Sequence, residues 1–239
     1  MPEITFYREF FPFYDPVPFL LGPDRALCAA MNIIWKTFPV GPLQSNCTVL
    51  GDSDTENGYV FDAGGDAQRI LDVASALGLE ITGIVQTHAH LDHILAAGHV
   101  HESTGAPVWL HPADRFLWDG AEQQCQMWGL PYSPLPVPAN ELKQGQELEF
   151  GCRCIHTPGH TPGSVSFHFE NEKLLIAGDT LFQGSVGRTD LPGGSSAQLK
   201  KSIQERLYAL DDVTVVITGH GPETRIGQEK RFNAFVRAR

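Results

Sequence analysis

Three histidines and an aspartate stand within six residues in the run Thr87-His88-Ala89-His90-Leu91-Asp92-His93. Imidazole nitrogens suit zinc and iron, and a carboxylate oxygen can complete or bridge such a site. Packing gives no reason to gather so many polar donors, so the run reads as two adjacent metal sites. Further donors follow one rule along the chain: an apolar strand-like stretch, a glycine, then a ligating side chain. Cys154-Ile155-His156-Thr157-Pro158-Gly159-His160 delivers His160, Leu174-Leu175-Ile176-Ala177-Gly178-Asp179 delivers Asp179, and Val215-Val216-Ile217-Thr218-Gly219-His220 delivers His220. Loops held at the ends of rigid strands are where reactive groups usually sit.

The elements that must position these donors alternate along the chain. Strands are expected over 33–38, 47–51, 59–62, 81–86 and 107–110, each bounded by turn residues. A helix is expected over 67–77, where Ile70, Leu71, Ala74 and Leu77 recur at helical spacing and Gly78 ends it. A second helix should open at Asp92 or His93 and run to about 103. The stretch 118–138, with two tryptophans and four prolines, is expected to form an irregular lid or mouth. Strands are then expected over 147–150, 152–157, 164–169, 173–177 and 214–218, a helix over 197–210 and a polar terminal helix over 226–239. Strands, helix and strands, repeated in that order, give an α/β fold. Its expected form is an αββα sandwich of two mixed β-sheets flanked by helices.

Length and composition allow one large domain over 31–239 preceded by an aromatic and proline-rich arm over 1–30. That arm holds Phe6, Tyr7, Phe10, Phe11, Phe13, Tyr14 and Phe19 with five prolines. Its acidic residues and prolines break the pattern of a secretory signal. No apolar run reaches the roughly 20 residues that a bilayer requires. A net charge of −11 argues against nucleic acid and anionic membranes as partners, because both draw on lysine and arginine clusters. The cysteines, Cys28, Cys47, Cys125, Cys152 and Cys154, are odd in number and irregularly spaced. That pattern fits buried thiols in a reduced, cytoplasmic protein. A homodimer is compatible with the arm.

Taken together, Thr87-His88-Ala89-His90-Leu91-Asp92-His93, His160, Gly178-Asp179 and Gly219-His220 resemble the metallo-β-lactamase superfamily, and the resemblance spans 33–239. It implies the αββα fold and two divalent metal ions, with zinc foremost and iron or manganese as alternatives. It also implies that His88, His90 and His160 hold one ion, that Asp92, His93 and His220 hold the other, and that Asp179 bridges them. Gly178-Asp179-Thr180-Leu181-Phe182, Gly187-Arg188-Thr189-Asp190 and Gly219-His220-Gly221-Pro222 are similar to the glyoxalase II-like hydrolases. The compact bacterial type, without the C-terminal helical domain, is the nearer match.

That resemblance implies hydrolysis of a thioester such as S-lactoylglutathione. Two cations about 3.5–4 Å apart lower the pKa of a shared water toward about 7 and polarise the carbonyl. A thiol of pKa about 8.5 leaves without a dedicated acid. Asp92 and Asp179 are the candidate catalytic carboxylates, with Asp92 orienting the water. Arg188 is the candidate contact for a substrate anion, against the alternative of an ion pair with Asp190. Asp62 reads as a brace for the ligand loop. His156 reads as a sheet-bonded side chain, His111 as part of a strand-to-helix turn, and His99 and His101 as positions on a helix exterior or end. The rival is a persulfide dioxygenase-like oxidoreductase with one iron on the same fold. A nuclease is disfavoured by the acidic balance, a non-catalytic module by the complete donor set, and a β-lactamase by Asp179.

Overall fold

The computed structural model describes residues 31–238. The arm expected over 1–30, with Cys28, lies outside them. Alternation along the strands sorts side chains into three apolar layers. The first sheet runs in spatial order β1 (Ile33–Val40), β2 (Ser45–Asp52), β3 (Asn57–Phe61), β4 (Glu80–Val85), β5 (Val108–Leu110) and β6 (Asn140–Glu141). β1 to β3 pair antiparallel, and β3 to β6 pair parallel. In chain order there follow β7 (Cys152–His156), β8 (Val165–Phe169), β9 (Leu174–Gly178), the hairpin β10 (Leu181–Phe182) with β11 (Ser185–Val186), then β12 (Val215–Thr218) and β13 (Thr224–Arg225). The second sheet has the order β13-β12-β9-β8-β7, with β9 and β12 parallel.

Successive strand residues point to opposite faces. Val60 and Ile84 therefore join the layer under α1 (Ala67–Ala76), whereas Tyr59, Phe61 and Val85 point between the sheets. There Phe61 meets Phe167 at a ring separation of 5.1 Å, within the range of favourable aromatic pairing. In β9, Leu174 and Ile176 face the same inter-sheet layer, while Leu175 and Ala177 face the outer helix. Burial on both faces explains the unbroken apolar strands of the sequence. The observed architecture is the expected αββα sandwich.

Five local expectations need correction. The helix expected from 92 to 103 is two helices, α2 (Leu91–Ile94) and α3 (Ala97–Thr104). The Ala96 N–H between them donates to the Ala63 carbonyl instead of continuing the helical ladder. The lid region starts as helix, with α4 (Arg115–Asp119) and α5 (Ala121–Trp128), before its prolines impose an irregular path. Residues 147–150 form no strand. Glu147 makes one bridge to Arg153, and Phe150 at φ 63° turns its ring against Tyr59. The helix expected over 197–210 is α6 (Ser196–Ser202) followed by a wider π turn over Ile203–Leu207, which keeps Leu199, Ile203 and Leu207 buried. The terminal helix α7 (Ile226–Phe232) stops early because the Asn233 side chain accepts from the Phe235 and Val236 amides. It is also less polar than expected, since Ile226 and Glu229 are buried. Among the described residues, no helix is long and apolar enough to cross a membrane.

Candidate metal centre

Each expected donor follows the C-terminal end of a strand, and both sheets contribute. β4 runs into 87–93, β7 into the loop bearing His160, β9 into Asp179 and β12 into His220. Because β9 and β12 are parallel neighbours, their ends lie side by side, tied by Gly219 N–H to the Gly178 carbonyl at 2.8 Å. Two glycines are required by this crowding. Gly178 has φ +50°, and a Cβ there would strike the Thr87 hydroxyl; a Cβ at Gly219 would strike Asp179 Oδ1.

The seven donors form two groups of three with Asp179 between them. His160 Nε2 lies 2.8 Å from His90 Nδ1 and 3.2 Å from His88 Nε2. Asp92 Oδ2 lies 3.0 Å from His220 Nε2 and 3.6 Å from His93 Nε2. Asp179 faces both groups, with Oδ2 at 3.5 Å from His160 and 3.8 Å from His220, and Oδ1 at 3.4 Å from His93. Each group could hold one ion.

Hydrogen bonding behind the donors sets which nitrogen carries a proton. The Thr87 hydroxyl donates to Asp62 Oδ2 at 2.7 Å, so it accepts from His88 Nδ1 at 3.0 Å. His160 Nδ1 donates to the Arg188 carbonyl at 2.7 Å, and His93 Nδ1 to Asp62 Oδ2 at 2.9 Å. The opposite nitrogens of His88 and His160 are then left with lone pairs aimed at the centre. His93 Nε2 and Asp179 Oδ1 are buried with no hydrogen-bond partner. Convergent lone pairs and an orphaned carboxylate oxygen leave a cation as the fitting occupant, and the nitrogen and oxygen donors suit zinc, iron or manganese.

The two groups differ in charge. Burial holds the His88 and His160 imidazoles below their ordinary range and brings His90 to about 3, so all three are neutral near pH 7. Neutral imidazole is the ligating form. In the second group burial is overruled by charge. It would lower His93 and His220, but Asp92 and Asp179 raise both. Burial would raise Asp92 and Asp179, yet the neighbouring imidazoles, His93 first, hold both below the usual carboxylate range. Three acids, Asp62 included, thus demand positive charge around His93.

Asp62 is a brace as expected, accepting from Thr87 N–H, the Thr87 hydroxyl and His93. Two further braces have no signature in the sequence. Asp114, fully buried, accepts from Ala89 N–H at 3.1 Å, the Thr161 hydroxyl at 2.7 Å and Gly163 N–H at 2.6 Å. It thereby joins the loop of His88 and His90 to the loop of His160. Gln124 on α5 accepts from Leu91 N–H and donates to the Ala89 and Leu117 carbonyls, fixing α5 to the ligand run.

The remaining histidines stay outside the centre. His99 is exposed on α3, and His101 closes that helix end on the Ala106 carbonyl. His111 caps the turn at Pro112. His156 bonds the Pro162 carbonyl rather than a sheet partner and stacks on His111 with 4.1 Å between ring centres. The four described cysteines are buried and unpaired.

A cavity of about 430 Å³ opens over the donors. Arg188 lines it, but its guanidinium is held by Asp190 through two hydrogen bonds of 2.8 Å, which is the ion-pair alternative. Its carbonyl has a separate task in orienting His160.

The family model for the metallo-beta-lactamase superfamily matches residues 40–220. Over 214 residues the chain is 37% identical to the hydroxyacylglutathione hydrolase GloC of Haemophilus influenzae, covering 87% of this chain and all of that protein. Among solved structures, the B3 metallo-beta-lactamase BLEG-1 is 39% identical with a TM-score of 0.79, covering 85% of this chain and 99% of that one. TTHA1623 in a di-iron-bound form is 38% identical with the same TM-score, covering 84% and 100%. ETHE1 from Myxococcus xanthus is 27% identical with a TM-score of 0.70, covering 84% and 83%.

Proposed function

The chain belongs to the metallo-beta-lactamase superfamily, and on that premise we propose that it is a metal-dependent hydrolase whose substrates are thioesters. The observation that carries the reading is Asp179, whose two oxygens address both donor groups at once. That geometry suits two cations sharing one carboxylate. We assign His88, His90 and His160 to one ion, Asp92, His93 and His220 to the other, and Asp179 to both. Zinc is the first choice, with iron supported by the di-iron form of TTHA1623. Two bound cations supply a hydroxide nucleophile at neutral pH and a polarised carbonyl.

The chain's own residues complete the chemistry. Asp92, below its usual pKa range and lining the cavity, stays ionised to orient the water and accept its hydrogen bond. Asp62, Thr87 and the Arg188 carbonyl keep the imidazoles turned inward. A thiolate whose thiol has a pKa of about 8.5 departs unaided. The name of the Haemophilus relative supports a thioester as the bond cleaved.

The test is metal analysis of freshly purified protein combined with S-lactoylglutathione turnover. About two ions per chain and turnover lost on chelation are expected. Oxygen consumption with glutathione persulfide by protein carrying one iron would replace this reading with the persulfide dioxygenase-like alternative drawn from the sequence. Nitrocefin cleavage in preference to thioesters would replace it with a β-lactamase.

A further inference from the structure

The cavity over the donors holds few polar groups, and those outside the ligand set are already committed. Gln124 has Oε1 on Leu91 N–H and both amide hydrogens on the Ala89 and Leu117 carbonyls. Arg188, the one cation on the wall among the described residues, is held by Asp190 through a two-point contact. Among the described residues, the side chains left for a ligand to touch are apolar: Leu43, Leu117, Met127, Trp128, Phe182 and Leu191. Met127 and Trp128, at the end of α5, line the cavity and are 77% and 51% exposed, so apolar surface at its mouth faces solvent. A space of about 430 Å³ falls within the range of small-molecule sites, which take most of their contact from apolar walls.

We propose that this wall receives an uncharged apolar chain attached next to the scissile bond. The preferred substrates are then neutral thioesters bearing an alkyl or aryl chain rather than anionic glutathione conjugates. The proposal rests on the thioester hydrolase reading and narrows it. A charged group placed on these side chains would lose hydration without finding a partner. A methylene placed there leaves water and improves binding about fourfold for each one fully buried.

Two measurements test it. Binding of non-hydrolysable S-alkyl N-acetylcysteamine thioethers from ethyl to hexyl, read by calorimetry on the metal-loaded protein, should tighten about fourfold per methylene. Trp128→Ala, or Met127→Ala as a second exposed-site variant, should flatten that series. S-hexylglutathione should bind no better than its neutral counterpart, and Asp190→Ala, which frees Arg188, should improve the glutathione conjugate alone. An affinity independent of chain length, or wild-type protein binding S-hexylglutathione tenfold tighter than the neutral thioether, overturns the proposal. Hydrolysis is then followed for an acyl series on N-acetylcysteamine and for a thiol series on one acetyl group. The series that accelerates with length tells which side of the bond enters the wall. If no thioester is cleaved while the thioethers still tighten with length, the hydrolase reading falls and the ligand class stands. Cleavage at a rate indifferent to both series has the opposite meaning.

Discussion

The His88, His90 and His160 group and the Asp92, His93 and His220 group sit side by side but are stabilised in different ways. The first consists of neutral imidazoles that burial keeps unprotonated, and it is held by hydrogen bonds made to its backbone. The second is dominated by charge, with carboxylates drawing positive charge onto His93 and His220. Asp62 stands behind the His93 imidazole, on its Nδ1, while Asp92 and Asp179 face its Nε2. A buried, uncharged set of donors needs precise loops, whereas a charged set needs a compensating cation. Asp179 faces both.

The largest effect should follow from removing that shared member. Asp179→Ala is expected to lower thioester turnover at least about a thousandfold, since two cations supply several kcal/mol of transition-state stabilisation. Circular dichroism should remain native, and metal content should fall at both sites. Wild-type-like turnover in Asp179→Ala or His90→Ala would dissolve the division into two groups.

The braces should differ in reach. Asp114→Ala is expected to weaken one of the two bound metals about 10–100-fold, the usual range for outer partners, while the other is retained. Asp62→Ala, which removes the partner both of His93 and of the Thr87 hydroxyl behind His88, should weaken both ions. Competition with a chelator, followed by metal-resolved spectroscopy, reads this directly. Equal loss from both sites in both variants would show that the loops act as one unit. Asp114→Ala also leaves Ala89 N–H, Gly163 N–H and the Thr161 hydroxyl unpartnered, at a stability cost of about 1–3 kcal/mol for each group that water cannot reach.

A histidine pair away from the centre provides a control for burial acting without metal. Burial first, then mutual repulsion, takes His111 to about 4, and burial also lowers His156. Between the ordinary value near 6.5 and about 4, the unfolded chain takes up the His111 proton and the folded chain does not. Their contribution is therefore full above about 6.5 and declines as pH falls through that window. Chemical denaturation of metal-free protein should show a smaller loss over pH 6.5 to 4 in His111→Gln than in the wild type. An unchanged slope would count against burial as the cause. The smallest effect is expected at the exposed Arg188–Asp190 pair, where Arg188→Gln should alter stability by less than about 1 kcal/mol.

Much of the centre was legible because its donors are chemically conspicuous and lie where strands end. The run 87–93, the glycines before Asp179 and His220, and the bracing aspartate after Val60-Phe61 needed no knowledge of packing. Asp114 and Gln124 were invisible for the opposite reason. Asp114 acts on residues 25 and 49 positions away, and nothing local distinguishes it from a helix-capping acid. Helix breaks were also hidden, because the Ala96 amide leaves its ladder for a carbonyl 33 positions earlier in sequence that only the folded chain brings near. The helices at the start of 118–138 went unread because the prolines that cluster after Trp128 obscured the helical residues before them.

Donors from both sheets meet along one seam, so an ion seated there fastens the two halves of the sandwich like a rivet. Free ion at a hundred times its dissociation constant adds about 2.7 kcal/mol to the folded state, a large share of the 5–15 kcal/mol typical of a domain. Chains made during metal scarcity are consequently the ones that open more often, and any protease sampling opened chains would remove the empty copies before the loaded ones.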